Sequence, residues 1–388
     1  LTEHSGVTAA VRAGVSADMG HHAVMPPVYL STNYWYPELG ASPAYDYSRS
    51  ANPTRDVFAD ALTTLEGGHG CVVTGTGLGA VTLVVTALLS PGDVLVASHD
   101  CYGGTWRLLS ALAEKGAFVL HLCDLTTSDG VAAALALRPR MVWVETPSNP
   151  LLRITDVAAV TAAAREAGAL VVVDNTFLSP ALQNPLALGA DLVVHSCTKY
   201  INGHSDVVIG AVIAASAEAH ERLAWWGNSL GVTASAFDSY LALRGLRTLH
   251  ARMRVHQENA AALVHAARSH RAVARTFYPG LPDHPGHDVA ARQQRGFGAM
   301  MSIELAGGRP AVDAFLTGLH LFTLAESLGG VESLVAHPAT MTHSSMPPAV
   351  QAEAGITPGL LRFSVGIEDP ADLERELTAG LDRALGAA

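Results

Sequence analysis

Between about residue 57 and residue 250, short apolar runs alternate with stretches of helical length. This alternation limits the fold more tightly than any other feature of the chain. Val72-Val73 precedes a predicted helix near 78–89, and Val94-Leu95-Val96 precedes one near 104–114. Phe118 to Leu122 leads to a helix near 128–137, and Met141-Val142-Trp143-Val144 to one near 156–167. Leu170 to Val173 and Leu192 to His195 are two further runs, each ending in polar residues. A strand with one wet face alternates apolar with polar; these runs are apolar throughout. They therefore predict an α/β chain with a mostly parallel sheet covered by helices on both faces. Ligands in such sheets bind beyond the carboxyl ends of the strands, so the residues just after each run are where chemistry is expected.

The flanking regions differ in texture. Residues 1–56 are irregular and rich in Pro, Tyr, Ser and Asn, with Pro26-Pro27 and Asn52-Pro53 as breakers, and they read as an extended arm. Residues 57–250 form the expected α/β domain. Residues 251–388 read as a smaller α+β domain: a helix near 251–269, strands at Ala299–Leu305 and Leu361–Ile367, and helices near 310–318 and 370–385. Met300-Met301 reads as core.

With 49% hydrophobic and 15% charged residues, the chain buries a large core and is not disordered. A net charge of −11 with no Lys/Arg run argues against binding nucleic acid or an anionic membrane, although a few local arginines suffice for small anions. The longest apolar run, Leu78–Leu89, is too short to span a bilayer, and the Leu1-Thr2-Glu3-His4 start has no signal-peptide pattern. Cys71, Cys101, Cys123 and Cys197 show no paired spacing and read as reduced thiols of a cytoplasmic protein. His195, His204, His337 and His343 lack metal-ligand spacing, so no metal is expected.

Two strand ends stand out. One run ends in Asp174, the other in Ser196-Cys197-Thr198-Lys199, and adjacent strands would face both into one crevice. A lysine at a buried strand end is costly unless it is paired or covalently modified, and the two hydroxyls beside it suit a phosphate. Thr74-Gly75-Thr76-Gly77-Leu78-Gly79-Ala80 follows one strand and opens a helix, whose free N–H groups attract anions. The string also satisfies a loose dinucleotide pattern, but Asp93 and Asp100 do not stand where a ribose ligand belongs. A lysine, an acid and a phosphate cradle together point to pyridoxal 5'-phosphate. Lys199 would condense with the cofactor aldehyde, and Asp174 would keep the ring nitrogen protonated. Ser196, Thr198 and the Gly77-Leu78 turn would hold the phosphate.

These residues resemble the Cys/Met-metabolism family of pyridoxal-phosphate enzymes over nearly the whole chain. The most specific stretches are Asp46-Tyr47-Ser48-Arg49, Asn52-Pro53-Thr54-Arg55, Asp100-Cys101-Tyr102-Gly103-Gly104 and Pro147 to Arg153. Asp174-Asn175-Thr176-Phe177, Ser196 to Asp206 and Glu326-Ser327-Leu328-Gly329-Gly330 continue the pattern. The resemblance implies a type I aminotransferase fold and a homotetramer with shared sites. Tyr47 and Arg49 would reach a neighbouring subunit's cofactor phosphate. Tyr102 would stack on the cofactor ring and exchange protons, and Asn149 would contact its hydroxyl. Arg362, with Ser327 beside it, would clamp the α-carboxylate of an amino-acid substrate; Arg107 would take a distal carboxylate, with Glu326 also at the substrate.

The implied reaction is γ-replacement, joining an activated homoserine ester, most simply the succinyl one, to L-cysteine. Ala224-Trp225-Trp226, Gly231-Val232-Thr233, Phe237-Asp238-Ser239-Tyr240 and Ala291-Arg292-Gln293-Gln294 resemble the γ-replacing members more than the lyases. The segment Glu38 to Ala44 departs from their pattern. The alternatives are γ-elimination of cystathionine or methionine, a homocysteine-forming sulfhydrylase, and a cofactor-binding regulator without turnover.

Overall fold

The computed structural model describes residues 4–41 and 43–387. Leu1–Glu3, on which the signal-peptide reading partly rests, lie outside the described residues, as do Ser42 of the divergent arm segment and Ala388. The alternating region folds into strands β1 (Gly70–Thr74), β2 (Val94–Ser98), β3 (Val119–Cys123), β4 (Met141–Glu145), β5 (Leu170–Asp174), β6 (Leu192–His195) and β7 (Gly210–Ala214). Their spatial order is β1-β7-β6-β5-β4-β2-β3, and every pairing is parallel except those made by β7 with β1 and β6. The strand β7 was not anticipated. It returns along the sheet directly after the Lys199 turn, so no crossover helix separates it from β6 and marks it in the sequence.

The central strands are buried along their length, as runs apolar on both faces require. On one face Leu95, Trp143, Val172 and Leu192 pack beneath the helix Gly77–Leu88. On the other, Val96, Val142, Val171 and Val173 pack beneath Val157–Glu166, while Val73, Val193 and Ile213 meet the helix Pro53–Glu66. Side-chain caps set the helix starts: Thr76 Oγ1 accepts from Gly79 N at 2.7 Å, and Asn52 Oδ1 accepts from Thr54 N at 3.0 Å ahead of Pro53. In register Glu145 lies opposite Asp174, and Asp174 opposite Val194, so the ends of β4, β5 and β6 lie level.

A second sheet contains β8 (Val273–Phe277), β9 (Met300–Leu305), β10 (Thr323–Leu324), β11 (Leu334–Ala336) and β12 (Leu360–Ser364), in the order β10-β11-β12-β9-β8. The helices Leu249–Ser269, Gly308–Leu316 and Pro370–Gly386 pack against it. Met300 and Met301 are buried in β9, as expected. The short β10 and β11, and the half-exposed β8, carried too little pattern to be read in advance.

The irregular-arm reading needs one correction. Gly6–Arg12 is a helix whose Ala9 and Ala10, with Ala13 after it, are buried against the helix Pro53–Glu66. Alanines give a weak amphipathic signal, which is why the packing was missed. Beyond it the arm exposes Met19, Leu30, Trp35 and Leu39. Among the described residues no helix is long and apolar enough to cross a membrane.

Phe363 in β12 is fully buried, with the rings of Phe315 and Phe322 edge-on at 5.7 and 5.4 Å. Truncating it leaves a cavity between the sheet and its helices. Phe363→Ala should cost about 3–5 kcal/mol, measured as an earlier urea transition by circular dichroism.

Candidate functional site

A cavity of about 570 Å³ opens beyond the carboxyl ends of β1, β4, β5 and β6, on the side where β12 approaches. It gathers Gly77, Leu78, Asp174, Ser196, Thr198 and Lys199 from the large-sheet turns. Tyr102, Arg107 and Asn149 enter from the loop and helix after β2 and the loop after β4, and Glu326, Ser327 and Arg362 from the second sheet. Tyr47 and Arg49 do not line it. Both are exposed on the arm, with the Arg49 guanidinium 5.7 Å from the centre of the Tyr47 ring and its Nη1 donating to Asn228 O at 3.3 Å.

At the β1 turn the N-terminus of the helix Gly77–Leu88 closes on Ser196. A Cβ at position 77 would lie 2.8 Å from Ser196 Cβ and 2.9 Å from its Oγ, so only glycine keeps the helix end and the hydroxyl together. Thr198 Oγ1 accepts from Ile209 N at 2.9 Å and donates to Ile209 O at 3.1 Å, which ties the lysine turn to the start of β7. Its hydroxyl proton is thereby committed, leaving Ser196 as the freer of the two hydroxyls.

Lys199 Nζ donates to Ser327 Oγ at 2.7 Å. Burial, with the positive charge of Arg362, lowers its pKa to about 8, against a smaller opposing pull from Glu326. Ser327 is a non-glycine residue at φ +80°, a conformation that costs free energy and is held here by both of its contacts. Gly329 makes the approach possible, since a Cβ there would lie 2.7 Å from Tyr200 N.

Two carboxylates line the same cavity. Asp174 Oδ1 accepts from Thr176 N at 3.0 Å, and Glu145 Oε2 accepts from Tyr102 N at 2.8 Å. Burial raises both, and Asp174 raises Glu145 further by charge repulsion. Glu145 was missed by sequence reasoning. It ends β4 as Asp174 ends β5, and that parallel was the available signal.

Arg362 is buried on β12. Its Nη1 donates to Asn149 Oδ1 and its Nη2 to Ser327 O, both at 2.9 Å, while Nε is buried without a partner. Burial lowers its pKa to about 10. Arg107 stands exposed at the mouth, on the helix Gly103–Glu114 that Tyr102 precedes. Burial, then Glu326, raises the Tyr102 phenol. The segment 341–345, which carried no readable signal, closes the cavity with Met341, Thr342, Ser344 and Ser345. Among the described residues no His, Cys, Asp and Glu cluster suits a metal.

The donor set fits pyridoxal 5'-phosphate. The Gly77–Ser196 cradle has room for a phosphate that a Cβ would fill. Asp174 and Glu145 form an acidic pocket whose ionised form, opposed by burial, a protonated ring nitrogen would favour. Lys199 supplies an amine with a lowered pKa in the same cavity.

Comparison with known proteins points the same way. The sequence profile described as "Cys/Met metabolism PLP-dependent enzyme" matches residues 7–382. The chain is 56% identical to a cystathionine gamma-synthase of Escherichia coli (strain K12), covering 96% of this chain and 97% of that one. It is 45% identical to a cystathionine gamma-lyase of Dictyostelium discoideum, with 97% of each covered. The crystal structure of cystathionine gamma synthase from Xanthomonas oryzae pv. oryzae, in complex with aminoacrylate and cysteine, superposes with a TM-score of 0.98. It is 59% identical, over 99% of this chain and 100% of that one.

Because only a free amine attacks an aldehyde, capture of pyridoxal phosphate by the apoprotein should rise with pH through a midpoint near 8. At pH 6 the free-amine fraction would be about 1%. Arg362→Gln removes one of the two depressing influences and should move the midpoint upward. A stopped-flow absorbance series from pH 6 to 10 reads both.

Proposed function

The chain belongs to the Cys/Met-metabolism family of pyridoxal-phosphate-dependent enzymes, and from that premise we propose that it joins an activated homoserine ester to L-cysteine, giving L-cystathionine. The observation that carries the choice of γ-replacement is the 56–59% identity to cystathionine γ-synthases over nearly the whole chain. The two-carboxylate substrate is read from the pair of guanidiniums lining the Lys199 cavity, buried Arg362 and exposed Arg107. An amino acid bearing a second carboxylate, such as O-succinyl-L-homoserine, matches that spread of charge.

The cofactor would be held through Lys199, with Ser196, Thr198 and the Gly77-Leu78 turn serving its phosphate. Asp174 would serve its ring nitrogen, Tyr102 its ring and Asn149 its hydroxyl. When bound, pyridoxal 5'-phosphate supplies the electron sink that makes the substrate α-proton removable. Arg362 uses its unpartnered Nε and an adjacent N–H to take the α-carboxylate, with Ser327 alongside. Lys199 Nζ, close to half-neutral at pH 8, takes the α-proton, moves a β-proton and later returns protons to the product. Ser327 Oγ holds that amine in line between transfers. Arg107 and Glu326 stand at the substrate's distal end. The γ C–O bond breaks with its electron pair leaving on succinate, and the cysteine sulfur supplies the pair for the new C–S bond.

Tyr47 and Arg49 act in a neighbouring subunit, so the active unit is at least a dimer and is assembled as a homotetramer. Their place on an exposed apolar arm, away from their own chain's cavity, supports this. The enzyme works in the cytoplasm, where its thiols stay reduced.

Incubation with O-succinyl-L-homoserine, with and without L-cysteine, tests the reaction: cystathionine should form faster than 2-oxobutanoate when cysteine is present. Faster cleavage of cystathionine than its synthesis would assign the chain to γ-elimination instead. Arg107→Ala should lower kcat/KM for the succinyl ester by roughly ten- to hundredfold, the worth of a charge-assisted contact of about 1.5–3 kcal/mol, and spare the acetyl ester. Hybrids of Arg49→Ala with Lys199→Ala subunits should regain activity, because one site in each pair keeps both groups.

A further inference from the structure

Glu66 ends the helix Pro53–Glu66 on the face of the large sheet opposite the cavity, and it does not line the site. Its side chain and that of His195 are wholly buried, with His195 Nε2 2.6 Å from Glu66 Oε1. The same oxygen accepts from Asn175 Nδ2 at 3.0 Å, while Oε2 accepts from Asn184 Nδ2 at 3.3 Å. Gln183 Nε2 donates to Asn175 Oδ1 at 3.1 Å, which fixes the way the Asn175 amide points. Asn175 and Asn184 each donate to Glu66, and the His195 ring completes the three groups that its two oxygens meet.

The two residues that meet on Oε1 are not arbitrary. His195 is the last residue of β6 and directly precedes Ser196; Asn175 directly follows Asp174, the last residue of β5. Side chains alternate along a strand, so the residues next to those facing the cavity point to the reverse face, where Glu66 receives both. One oxygen thus bridges the two strand ends that carry the phosphate hydroxyl and lysine on one side and the ring-nitrogen carboxylate on the other. The His195 ring also acts against the burial that raises Asp174.

We propose that Glu66 is a positioning residue for the cofactor: through His195 and Asn175 it sets the separation between Asp174 and the Ser196–Lys199 turn. This rests on the assignment of those residues to pyridoxal phosphate. Glu66→Met keeps roughly the volume but removes both oxygens, so the acceptor that joins His195 and Asn175 is lost whichever way the side chain turns.

The test compares purified holoenzymes for the dissociation constant of pyridoxal phosphate and for the pH midpoint of the visible cofactor band at saturating cofactor. Glu66→Met should bind the cofactor at least tenfold more weakly and shift the band midpoint by half a unit or more. Asn184→Ala removes a contact that leaves both strand ends tied, and it should match wild type in both readings. If Glu66→Met yields no soluble protein, Asn175→Ala cuts only the β5 half of the bridge and should weaken binding several-fold. Wild-type values in Glu66→Met, or in Asn175→Ala where that variant stands in, would overturn the proposal; so would equal losses in Asn184→Ala, which would mark a general packing role. A wild-type protein with no visible band would instead overturn the cofactor assignment itself.

Discussion

A lysine amine held largely out of water at the end of a parallel strand sets the terms for everything around it. An ammonium in such a place is penalised by desolvation, and Arg362 adds charge repulsion, so the amine is displaced toward its neutral form. The turn that carries it is fastened on two sides: Thr198 ties it to the start of β7, and Ser327 reaches over to the amine itself. Neither attachment would exist without the central sheet, whose strands are apolar on both faces and end at the same level. The sheet's burial places the amine, and the amine's environment then follows from what the neighbouring strand ends can supply.

What they supply is mostly negative. Asp174 and Glu145 stand side by side on adjacent strands, each made harder to ionise by burial. Two carboxylates kept this close form a poor resting arrangement without a cation between them. Lys199 and Arg362 line the same cavity, so charges of both signs surround the space a ligand would fill. A cationic ring in that space would satisfy the carboxylates, and a substrate carboxylate would satisfy the orphaned Nε of Arg362. Ligand and substrate thus complete an electrostatic arrangement that the protein alone leaves unfinished, a common property of sites prepared for charged reactants.

The second sheet contributes a guanidinium. Arg362 is anchored to Asn149 of the large-sheet loops and to the Ser327 carbonyl, so one guanidinium joins the two halves of the site. Ser327 does double duty, accepting from Lys199 through its hydroxyl and from Arg362 through its carbonyl, and it holds a left-handed backbone to do so. Movement of the second sheet relative to the first would therefore alter the surroundings of Lys199 and Arg362 together.

The amino-acid pattern by itself determined the layer class, the parallel strands β1 to β6 and the strand-end residues Asp174 and Lys199. Each of these follows from local periodicity or from an expensive residue at a buried run's end, and both signals lie within a few positions of chain. Only the tertiary structure decided that β7 runs back against β6, since reversal leaves no mark in an apolar run. Likewise Gly6–Arg12 packs as a helix because a hydrophobic partner waits on Pro53–Glu66, which its own alanines do not announce. The pairing of Glu145 with Asp174, the clamp of Arg362 on Asn149 and the closing of 341–345 over the cavity join residues far apart in sequence. Such contacts depend on where the sheets bring distant segments, and no local pattern encodes that distance.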